Sequence, residues 1–103
     1  MIVRGGENVY PVEIETVLSR LQGVRQVAVV GRPDEAWGEV VVAVVVAADG
    51  AALDADEVRQ HCRRHLAGYK VPADVLFVDE LPMNASGKVL KRELRRALAE
   101  HRP

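Results

Sequence analysis

A chain of 103 residues with a formal net charge of −1 has the length of a single domain, and folding would bury roughly 60–70% of its unfolded surface, enough for one modest core. Near-neutrality excludes the broad basic field of a nucleic-acid binder. The single cysteine, Cys62, excludes a disulfide framework and a thiolate metal cage, and the scarcity of aromatics (Tyr10, Trp37, Tyr69 and Phe77) leaves the core to Val, Leu, Ile and Ala.

The opening segment MIVRGGENVYP sets Ile2 and Val3 on one side of Gly5-Gly6 and Val9 and Tyr10 on the other, which predicts a small β-hairpin. Pro11 suits the first turn of a helix, where its missing N–H costs nothing. Ile14, Val17, Leu18 and Leu21 then follow at helical spacing, with Gly23 as the stop. Residues 27–30 and 40–46 are β-branched runs separated by GRPDEAWGE, predicting two antiparallel neighbours joined by a loop. The second run is apolar at both parities, the pattern of a central strand covered on both faces or of one half-covered by another domain. Asp49-Gly50 ends it. A second helix is expected from about Asp54, whose spacing to Glu57 is that of a capping box. It carries Val58, Cys62 and Leu66 inward and closes at Gly68. The loop YKVPA, a short strand at 75–78, the polar turn LPMNASGK and a last helix with Leu90, Leu94, Ala97 and Leu98 on one face complete the chain. This order implies an α+β class: a small two-layer α/β sandwich with about three helices around a small central sheet, plus the N-terminal hairpin.

The apolar run at 40–48 is too short for a membrane-spanning helix, which needs about 20 residues. Residues 1–6 have no apolar signal-peptide core. A soluble, cytoplasmic protein without a membrane span is the expectation. The basic cluster Lys88, Lys91, Arg92, Arg95 and Arg96 is broken by Glu93 and reads as a solvated helix face.

His61 and His65 have chelating spacing on a helix, but no H-E-x-x-H pattern and no third ligand accompany them. Solvent exposure is the expectation for both, and no metal site is assigned. Cys62 faces the core, whereas reactive cysteines need polar, accessible surroundings. Gly87-Lys88 fails the phosphate-loop pattern, because Pro82 stands where Gly is needed and Val89 where Ser or Thr is needed. What remains is an ammonium on a glycine turn, which taken alone reads as an ordinary solvated lysine ahead of a group reaching an anion. Gly5-Gly6 taken alone reads as a tight turn ahead of close passage of a thin ligand.

Taken together, GGENVYPVEIE, VAVVGRPDEAWGE, LAGYKVP and LPMNASGKVLKREL closely resemble the C-terminal domain of adenylate-forming acyl-CoA synthetases, in order and over nearly the whole chain. The resemblance implies an enzyme that joins a carboxylic acid to AMP using ATP with Mg2+, then passes the acyl group to coenzyme A. Its small C-terminal domain alternates between two poses, one for each half-reaction. Residues 1–103 would form that single mobile domain. Its partner, the N-terminal adenylation domain that holds ATP and the acid, would lie outside this chain. The isolated chain would then be inactive, with no cofactor tightly bound.

By the same resemblance, Lys88 is the lysine that reaches the acid's carboxylate and the nucleotide's phosphate and ribose oxygens during adenylation, and it is an implied acetylation site. Gly5 and Gly6 line the pantetheine channel. Trp37 and Tyr69 lie near the CoA nucleotide or pack at the domain boundary, and Lys70 and Arg4 help with CoA phosphates. Glu7 pairs across the domain boundary with a partner histidine, while Asn8 and Arg4 belong to the same interdomain loop. Val71 and Ala73 stand where relatives are often basic, a departure that bears on CoA phosphate binding. GGEN in the first loop favours a fatty acyl- or aryl-CoA ligase over a subdomain that loads a carrier protein. A free-standing, non-catalytic binding module is the alternative from a different class.

Overall fold

The computed structural model describes residues 1–100. The N-terminal hairpin forms from β1 (Ile2–Arg4) and β2 (Glu7–Val9), with Ile2 opposite Val9 and Arg4 opposite Glu7. Helix α1 (Pro11–Ser19) starts on Pro11 and buries Ile14 and Leu18. The helix ends four residues before Gly23, so Leu21 sits in the turn that follows, with its N–H donating to the Leu18 carbonyl at 3.1 Å.

Strands β3 (Val24–Asp34) and β4 (Gly38–Ala47) are antiparallel, as expected, but longer than the β-branched runs that announce them. The segment expected as a loop is mostly ladder: pairs run unbroken from Gly31–Val41 to Asp34–Gly38, and only residues 35–37 turn. Pro33 is tolerated there because β3 is an edge strand. Its parity along the strand matches that of Val29, whose N–H faces away from β4 toward α1, so a proline at position 33 removes no ladder donor.

Helix α2 (Ala55–His65) opens on Asp54, whose carboxylate accepts the Glu57 N–H at 2.8 Å. It ends before Gly68. Leu66 is already extended and packs its side chain onto the core, and Gly68 instead opens a 3-10 turn, Gly68–Lys70. Strand β5 (Asp74–Phe77) then pairs in parallel with β4, from Val42–Asp74 to Val45–Phe77. Helix α3 (Lys91–Glu100) closes the described chain. The sheet order is β2-β1-β4-β3, with β5 also on β4. Because β3 occupies one side of β4, β1 and β5 share the other, β1 at the Gly38 end and β5 beside residues 42–45.

This placement accounts for the doubly apolar β4. Val41, Ala43 and Val45 join Ile2, Val9, Ile14, Leu18, Val58 and Cys62 on the face covered by α1 and α2. Val42, Val44 and Val46 join Ala28, Val30, Leu81 and Leu94 on the other. Three helices therefore surround a small central sheet in an α+β domain. The second face carries a thinner cover supplied by α3 and the segment leading to it.

Candidate functional site

The loop at residues 82–90 is folded around one side chain. Asn84 Oδ1 accepts hydrogen bonds from the backbone N–H groups of Ser86 (3.0 Å) and Lys88 (2.9 Å) and from Ser86 Oγ (3.2 Å). Its own N–H donates to the Lys88 carbonyl at 2.9 Å, and its carbonyl accepts from Gly87 N at 3.0 Å. Gly87 takes a positive φ of 83°, which glycine adopts without steric cost. Below the turn, Met83 bridges to Val89, and Leu90 N donates to the Pro82 carbonyl at 2.8 Å. The result is a closed loop with an exposed Lys88 beside its apex. Among the described residues no acidic group pairs with that ammonium.

At the hairpin turn, Gly5 and Gly6 have φ of 55° and 84°. Their surroundings differ. A Cβ on Gly5 would lie 2.7 Å from the Trp37 ring, whereas one on Gly6 would meet nothing within 4 Å. Gly5 N donates to the Trp37 carbonyl at 2.7 Å. The Arg4 guanidinium sits 4.2 Å from the indole centroid, a cation–π distance. Trp37 itself is placed by Asp34, whose Oδ2 accepts the N–H groups of Ala36 and Trp37, both at 3.0 Å. Glu39 Oε1 accepts the Val3 N–H at 3.0 Å and ties the hairpin to β4. Arg4, Gly5, Gly6 and Trp37 thus form one surface, with Glu7 and Asn8 exposed on β2 beside it.

Tyr69 and Lys70 lie in the 3-10 turn next to β2 and are more committed to the fold. Tyr69 is half-buried against the core. Lys70 Nζ is 2.7 Å from Glu13 Oε1 and 5.5 Å from the Tyr69 ring centroid. The hydrogen bond to Glu13 is the main cause that raises the Lys70 pKa, with smaller contributions from the Glu13 and Tyr69 charges. Lys88 is not part of this surface. Its loop touches β3 near Gln26, whose Nε2 is 3.7 Å from Met83 Sδ, while the glycine turn adjoins Asp34 at the other end of the strand. Eight residues of strand separate them by on the order of 25 Å.

The basic cluster does not stay wholly solvated. Lys91 Nζ pairs with Glu15 Oε2 at 2.8 Å, whereas Arg92, Arg95 and Arg96 are exposed. His61 is half-buried rather than exposed: its Nε2 lies 3.0 Å from the Val17 carbonyl, so it joins α2 to α1, and its ring meets that of His65 at a tilt of 53°, with centroids 4.6 Å apart. Among the described residues no group of three potential metal ligands converges. Cys62 is fully buried. Sequence reasoning missed Asn84, Glu15 and Glu39. Asn84 had a readable signal, because Asn at the head of Ala-Ser-Gly is the chemistry of an Asx turn. The two glutamates had none, since helical and strand periodicities mark apolar positions only.

A family model described as the AMP-binding enzyme C-terminal domain matches residues 13–88. A feruloyl-CoA synthase from an Amycolatopsis species is 55% identical over 96 residues, which are 93% of this chain and 20% of that protein. An indoleacetate–CoA ligase from Aromatoleum aromaticum is 54% identical over 99 residues, 96% of this chain and 19% of the ligase. Among solved structures, a Mycobacterium tuberculosis fatty acyl CoA synthetase superposes with a TM-score of 0.94 at 45% identity, covering 100% of this chain and 20% of that one. The chain therefore spans about a fifth of the length of these relatives. No helix among the described residues is long and apolar enough to cross a membrane.

Proposed function

The chain belongs to the AMP-binding enzyme C-terminal domain family, and from that premise we propose that it works as the mobile domain of an ATP-dependent, AMP-forming acid–thiol ligase in the cytoplasm. A larger adenylation domain holds ATP and the acid. The names of the relatives, a feruloyl-CoA synthase, an indoleacetate–CoA ligase and a fatty acyl CoA synthetase, favour an aryl or fatty acid as substrate. In this reading magnesium enters with the nucleotide.

The observation that carries this reading is Lys88: an exposed ammonium with no acidic partner among the described residues, beside the apex of a loop clamped by Asn84. In adenylation, a carboxylate oxygen attacks the α-phosphorus, the bond to the β-phosphate oxygen breaks, and pyrophosphate leaves. That step gathers negative charge, and a cation already in place lowers its barrier without reorganising solvent. In the second step the CoA thiolate attacks the acyl carbon and AMP departs. The thiol must arrive along a narrow path, which the hairpin turn suits: Gly6 presents bare backbone with open space around it. Arg4 and Trp37 lie beside that turn, and in this reading they meet the nucleotide end of CoA.

The two half-reactions separate the roles. In the ligase that carries this domain, Lys88→Ala lowers adenylate formation by about a hundredfold or more, the loss typical of removing one transition-state charge partner. Thioester formation from supplied acyl-adenylate survives. Gly6→Leu does the reverse; a Cβ at Gly6 meets no atom within 4 Å, but its φ of 84° strains any L residue, so Gly6→Ala, which carries the same backbone strain without the bulk, is measured beside it and is expected to keep most of the thioester step. Half-reaction rates for pyrophosphate release and for thioester appearance measure both. Equal losses in both steps for both variants overturn the assignment.

A further inference from the structure

We propose that Glu15 is a positioning residue for Lys88: its carboxylate pins the first turn of α3 to the open edge of β3, and so sets where the loop at 82–90 holds its ammonium. This rests on the ligase reading of Lys88. One oxygen, Glu15 Oε2, accepts the Val29 N–H (2.8 Å) and forms an ion pair with Lys91 Nζ (2.8 Å). The Val29 N–H faces the unpaired side of the edge strand and needs an acceptor away from water. That bond holds the carboxylate in place. The glutamate and lysine side chains are only 20% and 33% exposed, so the pair is better sheltered from solvent and salt than an ordinary surface ion pair.

The pin matters because the loop is a closed unit. Asn84 and the Leu90–Pro82 hydrogen bond hold it together internally, so it moves as one piece. Its ties to the rest of the domain include the Lys91–Glu15 pair at one end, the Gln26–Met83 contact at the other, and the packing of Leu81, Val89 and, within the first turn of α3, Leu94 onto the second core face. Lys88 and Lys91 are three residues apart and divide the work. Lys91 is held by the fold, and the reacting ammonium has no acidic partner among the described residues. Releasing Lys91 lets the loop pivot about Leu81, and a displacement of about 1 Å at a reacting group is enough to cost as much as a hundredfold in rate.

Glu15→Gln keeps a side-chain oxygen for Val29 and loses the ion pair; Lys91→Gln loses it from the other partner. In the ligase, each lowers kcat for adenylate formation about tenfold or more, with thioester formation from supplied acyl-adenylate within about twofold. The double variant is no worse than either single, as for two residues acting through one contact. In the 103-residue chain itself, NMR relaxation shows the amides of residues 84–90 gaining amplitude of motion together in both variants while β4 amides keep theirs. Equal losses in both half-reactions, no loss, or unchanged motion at 84–90 overturns the proposal. Lys88→Ala is measured alongside. If it leaves adenylation intact, the ligase reading and this proposal fall together. If it abolishes adenylation while Glu15→Gln and Lys91→Gln do not slow it, only the positioning role falls.

Discussion

Cys62 shows how burial alone sets a side chain's chemistry. It lies on the inner stripe of α2 with no exposed surface, and desolvation pushes its thiol from about 9 up to about 11. A neutral thiol is a poor nucleophile, so thiol reagents at neutral pH are expected to label the native chain far more slowly than the unfolded one. Time-resolved labelling with and without denaturant measures this. The sign of the pH effect follows from the same shift. The native state keeps the proton that the unfolded state gives up near 9, so this contribution to stability is complete below about pH 9. It is lost as the pH rises through about 11. Denaturant midpoints measured across that window should fall with rising pH, and Cys62→Ala should flatten the fall. The inward position of Cys62 was readable from spacing. The partner of Lys91 was not, because long charged side chains follow no periodic pattern and only the fold brings Glu15 within reach.

Helix and strand ends divide by the range of the forces that place them. Asp54 was legible because its bond to the Glu57 N–H spans three residues and depends on nothing distant. Asp54→Ala should therefore destabilise the chain by about 1 kcal/mol, read as a lower denaturant midpoint at unchanged slope. Gly23 and Gly68 misled for the opposite reason. Both glycines fit the local rule for a helix stop, yet each helix ends earlier, and the residues between, Leu21 and Leu66, leave the helix while still packing onto the core. The strands beyond GRPDEAWGE were underestimated because a ladder propagates by pairing, and pairing carried β3 through Pro33.

Across the molecule, the adenylation lysine proposed here and the glycine turn stand at opposite ends of β3, joined by a rigid two-stranded spine with apolar packing on both faces. A domain built this way can present one end or the other to a partner by turning as a body, without internal rearrangement. It also makes the two ends energetically independent. Gly5→Ala meets the Trp37 ring and an unfavourable positive φ; Asn84→Ala removes the acceptor that folds the other loop. Their effects on unfolding free energy should add to within about 0.5 kcal/mol, as for distant sites that share no partner. A larger coupling in the double variant would show that the two loops communicate through the sheet.

The amino-acid sequence by itself determined the element types, the α+β class, the inward stripes and the family, because these depend on short-range periodicity, turn chemistry and motifs held in order along the chain. It also singled out the two loops by their glycines. Only the tertiary structure decided which faces of β4 each helix covers, that β5 joins β4 in parallel, that Asn84 gathers the Lys88 loop, and that one oxygen of Glu15 links α1, β3 and α3. Those outcomes rest on polar groups and strand partners that meet across long stretches of chain. Their pairing is chosen by geometry in three dimensions, which linear spacing does not encode.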